Sequence, residues 1–170
     1  MSLTIGVDVG GTKAAAGVVD AAGHMIEKLK RSTPAASPAR TAQVIADVVT
    51  ELASQYDVDA VGLGAAGFID ENRSTVLFAP NLAWRNEPLR ESVQERVGLP
   101  VFVENDADSG LWAEARFGAA RGYRDVIMIA VGTGIGAAIL IGGDLYHGRY
   151  GIASEPGQGT SIRAELPCGS

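Results

Sequence analysis

The sequence predicts an α/β domain in which a mixed sheet is flanked by helices, and three observations carry that expectation. Short runs rich in β-branched residues recur along the chain, amphipathic helical segments separate them, and 22 glycines punctuate the joins. The first five elements run strand, strand, strand, helix, strand, an order that asks for strands of both directions with a helix packed on the sheet.

Taken in order, Leu3 to Val9 alternates and is β-branched, breaks at Gly10-Gly11, and resumes from Ala14 to Val19 before Asp20-Ala-Ala-Gly23. His24 to Arg31 offers a third strand, crowded by Glu27, Lys28, Lys30 and Arg31. Ser32 to Pro38 reads as loop, because Pro34 and Pro38 remove backbone donors. From Pro38 or Ala39 to about Gln55, apolar residues at Ala42, Ile45, Ala46, Val49, Leu52 and Ala53 recur at helical spacing. A short buried strand is expected over Asp59 to Leu63.

Ile69 to Asn81 carries turn signals, and a second helix is expected from about Glu87 to Val97, capped by Gly98 and stopped by Pro100. Val101 to Val103 then reads as a strand, followed by a helix from Ala107 to Phe117. Asp125 to Val131 and Ala137 to Ile141 are further strands, and Gly142-Gly143-Asp144 turns the chain into Leu145-Tyr146. The strand, glycine turn, strand pattern therefore occurs twice, which hints at a duplicated architecture. The stretch from Gly151 to Ser170 changes character and is expected to be poorly anchored. Met25, Trp84 and Trp112 are expected in the core, and His24 and His147 on the surface with no metal cluster.

The chain has 170 residues, enough for one domain or one and part of another, and such a chain buries roughly 70% of its unfolded surface. A net charge of -6 argues against attraction to nucleic acid or to anionic membrane. No apolar run approaches the roughly 20 residues that span a bilayer, and Met1 to Asp8 lacks a basic stretch leading into an apolar core. The expected compartment is the cytoplasm, and the expected ligand a small molecule. The lone Cys168 has no partner for an internal disulfide.

Two stretches could carry chemistry. In Asp8-Val-Gly10-Gly11-Thr12-Lys13 the glycines let backbone N–H groups approach an anion, and Asp8 could hold a metal-bound water. The same residues also suit a plain tight hairpin. Val101 to Asp106 reads as a buried strand delivering polar groups to its end, so that Glu104-Asn105-Asp106 forms a ledge for hydroxyls with one carboxylate as proton acceptor. Asp108 is a rival for that role, and Asp106 could instead serve as the cap of the next helix. Gly62-Leu-Gly64-Ala-Ala-Gly67 and Gly132-Thr133-Gly134-Ile-Gly136 mimic dinucleotide fingerprints, but neither opens a helix to hold a pyrophosphate.

Read together, Asp8-x-Gly-Gly-Thr-Lys13, Gly64-Ala-Ala-Gly67-Phe, Ala79-Pro-Asn81-Leu-Ala-Trp-Arg, Glu104-Asn-Asp106-Ala, Gly132-Thr-Gly134-Ile-Gly136 and Leu145-Tyr-His-Gly-Arg resemble the ROK (repressor, open reading frame, kinase) family. The resemblance is nearest to its bacterial, actinobacterial-type ATP-dependent glucokinases and covers roughly residues 3 to 155. It implies an actin-like ATPase, ribonuclease-H-like fold of two domains closing on sugar and nucleotide. Residues 1–150 would be the first domain and 151–170 a divergent or truncated tail at the start of a second domain that is largely absent.

The implied activity is transfer of the ATP γ-phosphoryl group to the 6-hydroxyl of glucose. Alternatives are a sugar-binding or regulatory ROK module without turnover, or a kinase for another hexose. By resemblance Asp106 would be the base, and Gly67, Asn81, Asn105, Asp106 itself and Glu155 would contact the sugar. Asp8, Gly10, Gly11, Thr12, Lys13, Gly132, Thr133 and Gly134 would serve ATP and Mg2+. The family also implies homo-oligomers, and its second domain is what covers the nucleotide. Pro156 and Gln158 stand where the family has Phe and His, and Ser170 replaces a zinc cysteine beyond Cys168. The structural zinc of the family is therefore not expected.

Overall fold

A computed structural model describes residues 2–131 and 134–147, together with the backbone of 152–153. Strands β1 (Leu3–Val9), β2 (Lys13–Asp20) and β3 (Met25–Ser32) form an antiparallel meander. Alternation in β1 sends Ile5, Val7 and Val9 into the core and leaves Thr4, Gly6 and Asp8 on the opposite face. The charged run in β3 is explained by position. It is the edge strand, only Leu29 in it is partly buried, and its charges discourage pairing with a further strand.

Helix α1 (Pro38–Ala53) starts with a proline in its first turn, where a missing N–H costs nothing. It buries Ala42, Ile45, Ala46, Val49 and Leu52, the stripe expected from its spacing, and adds Thr41 and Val48. The chain then returns as β4 (Ala60–Ala65), parallel to β1 with Ile5 opposite Val61. Two further residues of strand beyond Leu63 carry the first Gly-x-Gly of the mimic fingerprint inside β4, so no helix opens there.

Between β4 and the next sheet strand, the turn-rich stretch contains β5 (Phe68–Ile69), β6 (Val76–Phe78) and β7 (Arg85–Glu87), a small antiparallel sheet that its turn signals had masked. Its sharp corner is held by Asp70, whose carboxylate accepts from the amides of Ser74 and Thr75 at 2.8 and 2.9 Å. Helix α2 (Leu89–Val97) begins two residues later than expected, after Pro88, and ends at Gly98 in the left-handed region with φ 68°. Strand β8 (Val101–Asn105) completes a five-stranded mixed sheet of order β3-β2-β1-β4-β8. Helices α1 and α2 pack together on one face of it over a core that includes Ile5, Val18, Ile45, Leu52, Leu63 and Trp84.

Helix α3 (Asp106–Phe117) leaves the end of β8 directly. A second sheet follows from β9 (Val126–Val131), β10 (Ile135–Ile141), β11 (Asp144–Leu145) and β12 (Ile152–Ala153), with β9, β11 and β12 all paired antiparallel to β10. Gly142 and Gly143 have φ of 64° and 97°, the geometry of the two-residue turn that joins β10 to β11. Ala107, Leu111, Ala138 and Leu140 make a smaller core between α3 and this sheet. Both expected glycine hairpins, β1–β2 and β9–β10, are present.

Two expectations are corrected here. Trp84 is fully buried, but Met25 is 57% and Trp112 42% exposed. Met25 starts the edge strand, and Trp112 lies on an outer face of α3, beneath the Arg116 guanidinium. No helix among the described residues is long and apolar enough to cross a membrane.

Ile45 is fully buried at the centre of the α1 stripe. Ile45→Ala is expected to cost about 2–5 kcal/mol, read as a lower denaturant midpoint with an unchanged slope. A loss within 1 kcal/mol would mean that α1 does not hold the sheet.

Candidate functional site

The site begins at the β8–α3 junction. Asn105 is 6% exposed, and its side chain is committed on both sides. Its Oδ1 accepts from the amides of Ala107 and Asp108 at 2.8 and 3.2 Å, capping α3, while its Nδ2 donates to the Gly67 carbonyl at 3.0 Å. The cap is therefore Asn105 and not Asp106, which is the first residue of α3, where helix electrostatics favour a carboxylate.

Gly67 is held from the other side as well, because a Cβ there would stand 2.5 Å from the Phe78 carbonyl oxygen. The β1–β2 turn closes with the Gly10 amide donating to the Lys13 carbonyl at 3.0 Å. The end of β3 fastens it, since Thr33 donates through Oγ1 to the Gly10 carbonyl at 2.9 Å. At Gly11 a Cβ would lie 2.5 Å from the Asn81 carbonyl oxygen, so only glycine lets the turn come against the Pro80-Asn81 segment.

These pieces surround one cavity of about 530 Å³. Asp8, Gly10, Gly11, Thr12 and Lys13 line it, with Gly67, Asn81, Asn105 and Asp106. Gly134 and Gly136 close another wall, where Gly136 comes so near α3 that an added Cβ would be 3.3 Å from Ala107 Cβ. Residues named from five separate parts of the sequence thus meet in one place. Gly132, Thr133 and Glu155 lie outside the described residues, as do Pro156, Gln158, Cys168 and Ser170.

Burial pushes the Asp8 carboxyl up from its ordinary range, the Asp106 charge adds to the rise, and Lys13 and Lys28 oppose it. Two carboxylates in one cavity leave an excess of negative charge that suits a divalent cation.

The three-residue ledge Glu104-Asn105-Asp106 does not exist as a unit. Strand alternation turns Glu104 away from Asn105, and the Glu104 carboxylate meets Arg73 at 2.6 Å and His147 at 3.1 Å. Asp108 is no rival of Asp106 either. Two helical steps rotate it by about 200°, and it is buried beside Glu104 and His147, apart from the glycine-lined cavity. Burial, then Glu104, push the Asp108 carboxyl up to about 6 against the opposing charges of His147 and Arg73. His24 is a surface histidine, its side chain 80% exposed, but His147 is corrected to a partly buried member of a charged cluster. Its place follows from tertiary contact between the β11 end and the Arg73 corner, for which the sequence holds no local signal.

A mixed five-stranded sheet with a glycine hairpin and a helix-borne carboxylate around one cavity defines a domain of the actin-like ATPase class. The chain belongs to the ROK family, whose pattern matches residues 4–170. It is 49% identical over 169 residues to a glucokinase of Streptomyces coelicolor, covering 99% of this chain and 53% of that protein. Among solved structures it is similar to a ROK family glucokinase from Streptomyces griseus in complex with glucose and AMPPNP, at 51% identity and a TM-score of 0.85, covering 95% of this chain and 51% of that one. It is also 32% identical over 162 residues to the xylose repressor of Bacillus subtilis strain 168, covering 92% of this chain and 42% of that protein. The chain spans about half the length of the curated relatives it matches.

Asn105→Ala removes a helix cap and leaves the Gly67 carbonyl without its partner. A loss of about 2 kcal/mol or more in urea unfolding is expected, with Asn105→Asp, which keeps the cap alone, falling between the variant and the parent. Asp108 binds a proton more tightly folded than unfolded, where its ordinary value is 3.8. The stability it contributes is complete below about pH 4 and is lost as pH rises through about 6. Asp108→Asn is therefore expected to be more stable than the parent at pH 7.5, by roughly 2–3 kcal/mol, and to match it near pH 4. Parallel pH–stability curves for the two proteins would contradict the burial of this charge.

Proposed function

We propose that the chain is the sugar-binding and phosphate-cradling half of a glucokinase-type enzyme, which transfers the γ-phosphoryl group of ATP to the 6-hydroxyl of glucose. The observation that carries this reading is the meeting of Asp106 with the Gly10–Lys13 turn in one cavity of about 530 Å³. The similarity to glucokinases over nearly the whole chain supports it.

In this mechanism the Asp106 carboxylate takes the proton of the 6-hydroxyl as that oxygen forms its bond to the γ-phosphorus. The bond from phosphorus to the bridging oxygen breaks, and ADP carries away the electron pair. Asn81 makes no side-chain hydrogen bond among the described residues and is free to read a sugar hydroxyl at the rim. Asn105 acts through its neighbours, fixing Gly67 and aiming α3, so it is a positioning residue. Lys13, Thr12 and the glycine backbone suit phosphate oxygens, and Asp8 would hold Mg2+ through water. When bound, Mg2+ neutralises charge on the phosphates. The remaining half of the family's length would exclude water from the transferring group.

A second reading, a sugar-binding regulatory module without turnover, is favoured by the likeness to a xylose repressor. Both readings are tested by coupled assay of ADP release with ATP, Mg2+ and glucose, using the chain alone and the chain joined to the C-terminal half of the Streptomyces coelicolor relative. Turnover in the joined protein is expected to fall about 100-fold or more in Asp106→Asn, with glucose affinity changed far less. Equal turnover in the variant would sink the proposed base. Glucose binding without turnover in either form would favour the regulatory reading.

A further inference from the structure

We propose that Glu104, Asp108 and His147 form a binding site for a divalent transition-metal cation of the zinc type, separate from the glycine-lined cavity. Each residue offers one ligand atom, and the three atoms lie within 4.8 Å of one another. Glu104 Oε2 and His147 Nε2 are 3.1 Å apart. Two ligands of a tetrahedral zinc stand roughly 3.3 Å apart when each is about 2.0 Å from the metal, so this pair is already at ligand spacing.

Three different elements supply the set: β8 brings Glu104, α3 brings Asp108, and the segment after β11 brings His147. Strand alternation and helical rotation, which take Glu104 and Asp108 away from the phosphate cavity, are what aim them at each other.

Asp108 points to a ligand independently of the cluster. It is 5% exposed, and its carboxylate accepts no hydrogen bond from any described residue. A buried carboxylate without a partner is costly, and a coordinated cation removes that cost. The other two ligands already hold a cation. The Arg73 guanidinium is 2.6 Å from Glu104 Oε2, and its other terminal nitrogen is 2.8 Å from Nδ1 and 2.5 Å from Nε2 of His147. Arg73 forms no ion pair with Asp108 among the described residues. Its side chain is 46% exposed on a turn, placed to swing aside when a metal enters.

A route to the site exists, since an open cavity of about 510 Å³ is lined by Glu104, Ser109, Trp112, Asp144 and His147. One imidazole and two carboxylates suit zinc or manganese better than magnesium, which prefers an octahedral shell of oxygens.

Titration of the 170-residue chain with Zn2+ by calorimetry tests the site, in a Cys168→Ser background so that the thiol does not compete. One equivalent is expected to bind. Affinity should fall ten-fold or more in His147→Ala and in the near-isosteric Asp108→Asn, each verified as folded by circular dichroism. It should be unchanged in His24→Ala, and tighter in Arg73→Ala, which removes the competing guanidinium. Mg2+ should bind at least 100-fold more weakly at this site. Unchanged affinity in both His147→Ala and Asp108→Asn would overturn the proposal, as would no binding by either the parent or Arg73→Ala.

Discussion

The arrangement depends on one buried amide. Asn105 uses its acceptor to cap α3 and its donor to hold the Gly67 carbonyl, so a single side chain joins the last strand of the five-stranded sheet, the loop after β4 and the helix that carries Asp106. An amide is the group that suits this position, because it is donor and acceptor at once and carries no charge to bury. A carboxylate would have met the Gly67 carbonyl with a lone pair. Through that bond the rigidity of the sheet is passed to the carboxylate at the helix start.

Around this joint the chain achieves close backbone approach by omitting side chains. Gly11 lies against the Asn81 carbonyl, Gly67 against Phe78, and Gly136 against Ala107, so the two sheets and the small β5–β7 sheet converge on one cavity. The carboxylates are then sorted by elementary geometry. Alternation along β8 separates Glu104 from Asn105, and the helical turn separates Asp106 from Asp108. One acidic stretch of five residues thus serves two faces: Asp106 faces the cavity that also holds Asp8 and Lys13, and Glu104 faces Arg73.

The relatives that the chain resembles are about twice as long, and the proposed chemistry needs more than a binding surface. Phosphoryl transfer to a hydroxyl competes with transfer to water, and a cavity open to solvent offers no selection between them. In the proposed function these residues would supply positioning: a base on a fixed helix, a glycine turn for phosphates and a rim amide for hydroxyls. Exclusion of water would fall to the other half of the family's length.

Much of this was legible in the sequence. The period of Ala42, Ile45, Ala46, Val49 and Leu52 determined the buried face of α1, and glycines determined where the strands turn, because both are local consequences of backbone geometry. The co-location of Asp8, Gly67, Asn81 and Asp106 followed from resemblance, since no local pattern brings such distant residues together. Local signals misled where tertiary packing outweighed them. Turn residues hid the β5–β7 sheet, whose strands are only two or three residues long and are stabilised by each other, and a tryptophan in α3 was left outside the core.

What the sequence by itself determined, then, is the order of the main strands and helices, the buried face of α1 and the glycine positions, all set by interactions within a few residues. Only the tertiary structure decided the bond from Asn105 to the Gly67 carbonyl and the partnership of Arg73, Glu104 and His147. Those depend on contacts between segments 31 to 74 residues apart, whose distances are set by packing and leave no periodic trace in the chain.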